Sequence, residues 1–554
     1  MHRLSAFPLV VLAALLVAGL PGAAHAAPAA GFHIAVAGTP LAVRTDGTYV
    51  AWAEDVQPTR FTRYANLYVA DLASGQVRLQ LGQLSYSSYM GRFGAGFALG
   101  DGILVWRDGA LGAASPLVAR DLRTGTGWVV AENGGLFPDV FADTAVWWEI
   151  APVGGAPTTA VLKTRRLAPD AGPPTEVIRL PLAHDYDLRD ARASGGWAAW
   201  VQSGSPDGTP AACPVLSVVS LGGGAPQPIA DGACHDDQRI PFDLSGDRLA
   251  YVDRNNLLVE REPPLIERRR SGPHANLDIT LADRWLFWNH AAAPGPWGYD
   301  PVSASRFQAG NSAVRASIAA GGGVLAWFES APSGGYTLQA RPIASLLPDA
   351  PRDPADPAIA GRAFFPETGH SLGGEFAAFW GRNGGLPVFG FALTEEFLQR
   401  SADTGADYTV QFFERQRFEY HPENGGTPYI VELGRLGAEA LAAQGRDWQA
   451  LPKASPSTPH YFDTTGQAIA PEFWEYWRTH GLELGDAGVS EREALALWGY
   501  PLTPPAYEPL PNGETLLVQW FERARFEYHP NNPAPYRVLL GRLAADRVAG
   551  FGWR

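Results

Sequence analysis

Between residues 33 and 345 apolar and polar positions alternate in short runs and helical periodicity is almost absent, so half-buried strands are expected throughout. The runs share a shape: a small residue, Asp or Gly, then apolar residues, then an aromatic five positions on. It reads Gly47-Thr48-Tyr49-Val50-Ala51-Trp52. It recurs at Asp101 to Trp106, Asp143 to Trp148, Gly195 to Trp200, Gly246 to Tyr251, Asp283 to Trp288 and Gly322 to Trp327. The aromatic anchors lie 37 to 54 residues apart, the size of one four-stranded unit, and self-similarity at that period signals a propeller or solenoid. Second strands end in tight turns, as in Tyr68-Val69-Ala70-Asp71-Leu72-Ala73-Ser74-Gly75 and Leu117 to Gly125, where Gly supplies the positive φ of a hairpin.

The fold class expected is therefore mainly β: a seven-bladed propeller, or six blades with an irregular insertion, over residues 27–345. An early strand, His33 to Ala37, is expected to pair beside Tyr336 to Arg341 and close the ring. The anchor tryptophans are expected to fill the spaces between blades.

The pattern changes at 346–360, where Pro348, Pro351, Pro354 and Pro357 rule out a helix interior or a central strand and predict a stiff linker. Beyond it the chain duplicates, with repeats at 361–438 and 461–548. "VQFFERQRFEYHP" from Val410 is matched by "VQWFERARFEYHP" from Val518, Leu433-Gly434-Arg435-Leu436 by Leu540-Gly541-Arg542-Leu543, and Leu393-Thr394 by Leu502-Thr503. Each copy predicts a short amphipathic helix carrying Phe376, Phe379 and Trp380, or Phe473, Tyr476 and Trp477. A hairpin turning near Glu-Arg-x-Arg and a last strand follow, making small α+β modules. The second copy is longer by about a dozen residues at Gly485 to Leu497, which reads as a loop insertion.

Composition narrows the partners. Net charge is −14 and the one basic cluster is Glu267-Arg268-Arg269-Arg270, so nucleic acid is excluded as a partner. Arg3, the apolar run Leu9 to Leu20 and Ala24-His25-Ala26 have the layout of a secretory signal peptide over residues 1–26, and no later apolar run approaches the length that spans a bilayer. In an oxidising compartment the two cysteines, Cys213 and Cys234, are expected to form one disulfide.

The Asp-Leu-x-(Ser/Thr)-Gly turn after a "VAW"-type strand resembles the TolB-like and WD40-like propellers of bacterial exported proteins, over about 300 residues. The Gly-x-x-Leu-Thr and Val-Gln-x-Phe elements resemble LGFP-type repeats. They are closer still to Phe-Glu-Arg-rich repeats appended to exported bacterial hydrolases. These resemblances imply an exported, envelope-associated protein. On them rests a set of ligand-binding candidates, Trp380, Arg417, Tyr420 and His421 with Trp477, Arg525, Tyr528 and His529, whose aromatic faces and polar tips suit a sugar ring. Neither His184-Asp185-Tyr186-Asp187 nor His235-Asp236-Asp237 has a metal-ligand spacing, and no metal, cofactor or catalytic residue is assigned.

"GHSLGG", residues 369–374, spells the surroundings of a hydrolase serine. Pro366 and Glu367 are wrong for the buried strand that must lead into a nucleophile elbow, and the second copy carries Gln467 and Ala468 in place of His370 and Ser371. The sequence is therefore read as an exported, non-enzymatic binding or scaffold protein. Its repeats associate with cell-wall or extracellular polysaccharide, and its propeller offers a surface to a protein partner. A serine hydrolase using Ser371, or a protein–protein scaffold, is the alternative.

Overall fold

The computed structural model describes residues 31–553 except 56–62, 87–95, 109–114, 134, 152–157, 183–187, 204–213, 232–239, 253–257, 263–265, 268–277, 290–294, 313–316, 332–333 and 511–512. The signal-peptide segment, the Cys213–Cys234 pair, His184 to Asp187 and His235 to Asp237 lie outside the described residues.

The alternating runs form antiparallel sheets joined in sequence order. Strands Thr39–Thr45, Tyr49–Asp55, Arg63–Asp71 and Val77–Tyr86 make one four-stranded sheet, and the chain repeats that meander through Ser305–Ser312. A last sheet is built from Ala319–Gly321, Val324–Ser330 and Tyr336–Pro342, with Phe32–Val36 added at its edge in the register Phe32↔Ala340 to Val36↔Tyr336. The first strands of successive sheets lie against one another, and Ala319–Gly321 returns to lie against Thr39–Thr45. This is a propeller-like, mainly β architecture.

Each aromatic anchor lies on the second strand of its sheet and is buried, as interleaved sheet faces require. Three indole N–H groups on these second strands are satisfied locally, while that of the anchor Trp148 is buried with no hydrogen-bond partner among the described residues. Trp52 donates to Glu54, Trp147 to Glu149 and Trp327 to Glu329, at 2.9, 3.0 and 2.9 Å, because residues two apart on a strand share a face. Gly195 shows how closely the sheets approach. Its φ is +58°, and a Cβ there would stand 2.0 Å from the carbonyl oxygen of Gly246 on the next sheet.

The C-terminal region is fused onto this body. Strand Phe397–Arg400 pairs with Ser305–Ser312, so the first copy's sheet continues a propeller sheet. One core runs through both parts, containing Phe287, Phe307 and Trp327 together with Phe412, Trp520 and Phe551. The Pro-rich stretch adds Leu346 and Leu347 to that core, and the Pro348 carbonyl accepts a hydrogen bond from the Glu395 N–H.

The two copies share one plan. Helix Gly374–Arg382 corresponds to Pro471–Thr479, and the hairpin of Asp407–Phe412 with Arg417–Tyr420 to that of Thr515–Trp520 with Arg525–Tyr528. The repeated motif letters are its fasteners. Gln411 Nε2 donates to the carbonyls of Ser371 and Thr394, and Gln519 Nε2 to those of Ala468 and Thr503. Thr394 and Thr503 hydroxyls accept from the N–H groups of Phe412 and Trp520. The copies also bind each other reciprocally: Arg435 donates to Glu522 at 3.0 Å and Arg542 to Glu414 at 2.8 Å, the pairing expected of a pseudo-two-fold dimer inside one chain. The insertion expected as a loop is in part a helix, Glu491–Trp498. Its Ser490–Glu493 capping box satisfies the first-turn N–H groups.

Candidate functional site

Two places gather polar side chains. The first is the centre of the propeller-like body, where the first strands face one another. Their polar side chains hold adjacent sheets together. Asp139 accepts from Ala193 N–H at 2.9 Å, Asp243 from Leu281 N–H at 2.8 Å and Asp278 from Ile318 N–H at 2.9 Å, each across a sheet boundary. Arg192 pairs with Asp190 at 2.7 Å and approaches Asp243 at 3.7 Å. Asp190, Arg192 and Asp243 keep 25, 16 and 15% of their side-chain surface.

Their ionisation follows from that setting. Burial pushes Asp278 up to about 6, against the pull of Ile318 N–H, Arg192 and Arg44. Burial likewise raises Asp139 and Asp243. Burial alone would lower Arg192, but Asp190, Asp243 and Asp139 outweigh it and the net shift is upward. Arg44, at the same centre, is lowered by burial and then by the like charge of Arg192. None of these residues was singled out from the sequence. A signal for them exists: Arg44, Arg192 and Asp243 each stand eight residues before the anchors Trp52, Trp200 and Tyr251, and Asp139 stands eight before Trp147. The register Arg44↔Ala51, Arg192↔Ala199 and Asp243↔Ala250 puts three of them opposite the small residue before the anchor.

The second place is a cleft of about 1090 Å³ in the second copy, between helix Pro471–Thr479, strand Arg525–Tyr528 and the approach to strand Val538–Leu540. It brings Arg525, Tyr528 and His529 together with Tyr476, His480 and Tyr536. Trp477, expected beside them, is 1% exposed and belongs to the core. Arg525 lies against Glu527 at 2.5 Å, and Glu527 reaches His529 Nε2 at 3.5 Å. Tyr476 stacks on His480, and burial pushes its hydroxyl up to about 12.

The aligned residues of the first copy are tied down by their own neighbours. Arg417 is buried between Glu419 at 2.5 Å and Glu439 at 2.8 Å, and these carboxylates outweigh the downward effect of burial to raise it. His421 packs on Tyr408 and meets Glu423 at 2.9 Å. Trp380 packs on Phe365 and donates to the Gly390 carbonyl, and Tyr420 packs against the shared core.

Ser371 is equally committed. It lies on strand His370–Leu372, paired with Ala363–Phe365, and is 0% exposed. Its hydroxyl donates to Glu395 at 2.5 Å and accepts from Arg362 Nε at 2.9 Å, while its N–H donates to the other Glu395 oxygen. Burial pushes Glu395 up, but His370 and Ser371 outweigh it and hold the carboxylate below its ordinary value. In the second copy Ala468 and Pro504 replace Ser371 and Glu395 together, so the pair is lost as a unit.

The fold with these two sites defines a propeller-like protein extended by a duplicated α+β region. No protein-family model matches the sequence and no curated protein matches it. Solved structures do match in fold. An acylaminoacyl peptidase from Pyrococcus horikoshii is 7% identical with a TM-score of 0.39, covering 70% of this chain; the match spans 58% of the peptidase. An oligogalacturonate lyase from Vibrio parahaemolyticus is 12% identical, TM-score 0.35, covering 56% of this chain and 91% of the lyase. TolB from Acinetobacter baumannii is 11% identical, TM-score 0.30, covering 53% of this chain and 80% of that protein. The expectation of a chain that is not an enzyme is corrected: a peptidase and a lyase are among the solved structures it is similar to.

Proposed function

We propose that this chain is an exported seven-bladed propeller protein. In this reading two LGFP-like, Phe-Glu-Arg-rich repeats associate it with cell-wall or extracellular polysaccharide, and the propeller offers a surface to a protein partner. The blade count is supported by the cyclic neighbours of the first strands and by Phe32–Val36 completing the last sheet. The observation that carries the polysaccharide reading is the open cleft. It sets Tyr528, His529 and Arg525 on one surface with Tyr536, rings and polar tips together as sugar recognition needs. Co-sedimentation of the full chain with purified bacterial cell wall and with insoluble polysaccharides tests it. Retention in the supernatant with all of them overturns it.

A second reading, catalysis at the propeller centre, is favoured by Asp278. A carboxyl that titrates at about 6, beside Arg192 and Arg44, is suited to proton transfer near neutral pH. Turnover of ester, peptide or uronate substrates that is lost in Asp278→Asn while the fold is retained supports it. Fluorophosphonate labelling at Ser371 would instead assign the chemistry to the serine.

A further inference from the structure

The two copies are built alike, yet the place that is an open cleft in the second is partly covered in the first. Val431 and Val538 correspond, each paired across the sheet with its Tyr-His tyrosine, Tyr420 or Tyr528. Tyr429 is therefore the counterpart of Tyr536, and Ile430 of Arg537. Asn383 and His480 are counterparts at the ends of the two helices.

The cover on the first copy comes from the second copy's insertion and the residues just before it. Glu483 N–H donates to Asn383 Oδ1 at 2.7 Å, leaving Asn383 5% exposed. Arg492 donates to the Tyr429 hydroxyl at 3.4 Å, and Tyr429 is 37% exposed against 61% for Tyr536. The covering segment is held in shape by the buried Glu493 carboxylate, which accepts from the N–H groups of Leu484, Asp486 and Ser490. The segment crossing the other way, Gly385–Phe389, lacks the insertion and brings Pro387 to the rim of the open cleft.

We propose that the repeat pair binds one oligosaccharide per chain, in the second copy's cleft, and that this ligand is neutral and rich in hydroxyls. The proposal rests on the polysaccharide reading above and assigns it a site, a stoichiometry and a ligand class. The size of the cleft is at the upper end for small-molecule sites, which suits several linked rings. Its lining holds four arginines and four carboxylates, so their formal charges balance. A sugar hydroxyl both donates and accepts, and meets such a wall at either sign of group. A polyanion loses against the carboxylates what it gains on the arginines. Tyr536 supplies an exposed ring face. Arg537 has no ion pair among the described residues, and Asp546 lines the cleft where its counterpart Glu439 closes on Arg417.

Titration calorimetry of the full chain with neutral gluco-, xylo- and N-acetylglucosamine oligomers of roughly four to six rings, and with a uronate oligomer, tests it. The expected result is one site per chain for a neutral oligomer, weakened on the order of tenfold by Tyr536→Ala and by Arg537→Ala. Tyr429→Ala and Arg492→Ala are expected to leave it within about twofold. Two sites per chain, equal loss in Tyr429→Ala, or a preference for the uronate oligomer overturns the proposal. If wild type sediments with polysaccharide and Tyr536→Ala sediments equally, this inference falls while the polysaccharide reading stands. If wild type does not sediment, that reading falls first.

Discussion

Replacing Asp278 by Asn isolates what the central carboxylates cost the fold. An aspartate ionises near 3.8 when unfolded, whereas Asp278 in the folded chain holds its proton up to about 6. Below the lower value both states are protonated and the group is neutral in the balance. As pH rises the unfolded chain ionises first, so stability falls through this window and levels off above the folded value. The difference of about two units corresponds to a loss of about 3 kcal/mol at neutral pH. Asn keeps an oxygen to accept from Ile318 N–H and removes the charge. The variant is therefore expected to match wild type near about pH 4 and to melt a few degrees higher near about pH 8. The variant keeps a residual slope of the same sign, because Asp139 and Asp243 are raised too. Thermal denaturation of both proteins across this range is the assay. An Asn variant that loses more stability near about pH 8 than near about pH 4 would show the ionised carboxylate to be net stabilising through Arg192 and Arg44, and would refute the reasoning.

Ser371→Ala removes a buried donor and acceptor at once from Glu395 and Arg362, so a loss of roughly 1–3 kcal/mol in urea unfolding is expected. Gln519→Leu strands the carbonyls of Ala468 and Thr503 and the N–H of Ala470, and should cost roughly 2–4 kcal/mol by the same measurement. Gly195→Ala combines a positive φ with a clash against Gly246 and should lower the melting temperature by several degrees, where an unaltered value would contradict the close approach of the two sheets. Exchanging the charges of Glu414 and Arg542 should restore what either single change removes, at most about 1 kcal/mol because Arg542 is 60% exposed.

The anchors and the duplication are legible in the sequence for the same reason: each depends on residues close together in the chain. Alternation and a buried aromatic at a fixed place write a strand pair locally, and Phe32–Val36 is found where its apolar pattern puts it. The duplicated letters also announce themselves, but not their work. Arg, Glu, Tyr and His in "FERQRFEYHP" have the chemistry of a binding site, and in the first copy that chemistry is spent internally, Arg417 on Glu419 and Glu439 and His421 on Glu423. In the second copy the same letters face an open cleft, and what separates the two cases is an insertion whose Arg492 lies 63 residues from the tyrosine it contacts. The central carboxylates are hidden more deeply. Each is one polar residue in an apolar strand of a different sheet, unremarkable until the sheets face a common centre and burial drives Asp278 up to about 6. "GHSLGG" marks the limit from the other side. Its letters match a nucleophile motif, but the strand before Gly369 is part of a two-stranded hairpin, and the serine is spent on Glu395, a residue 24 positions downstream that changes with it in the second copy. A motif names the side chains available for chemistry; their partners, set by tertiary contacts, decide whether any of that chemistry is left over for a ligand.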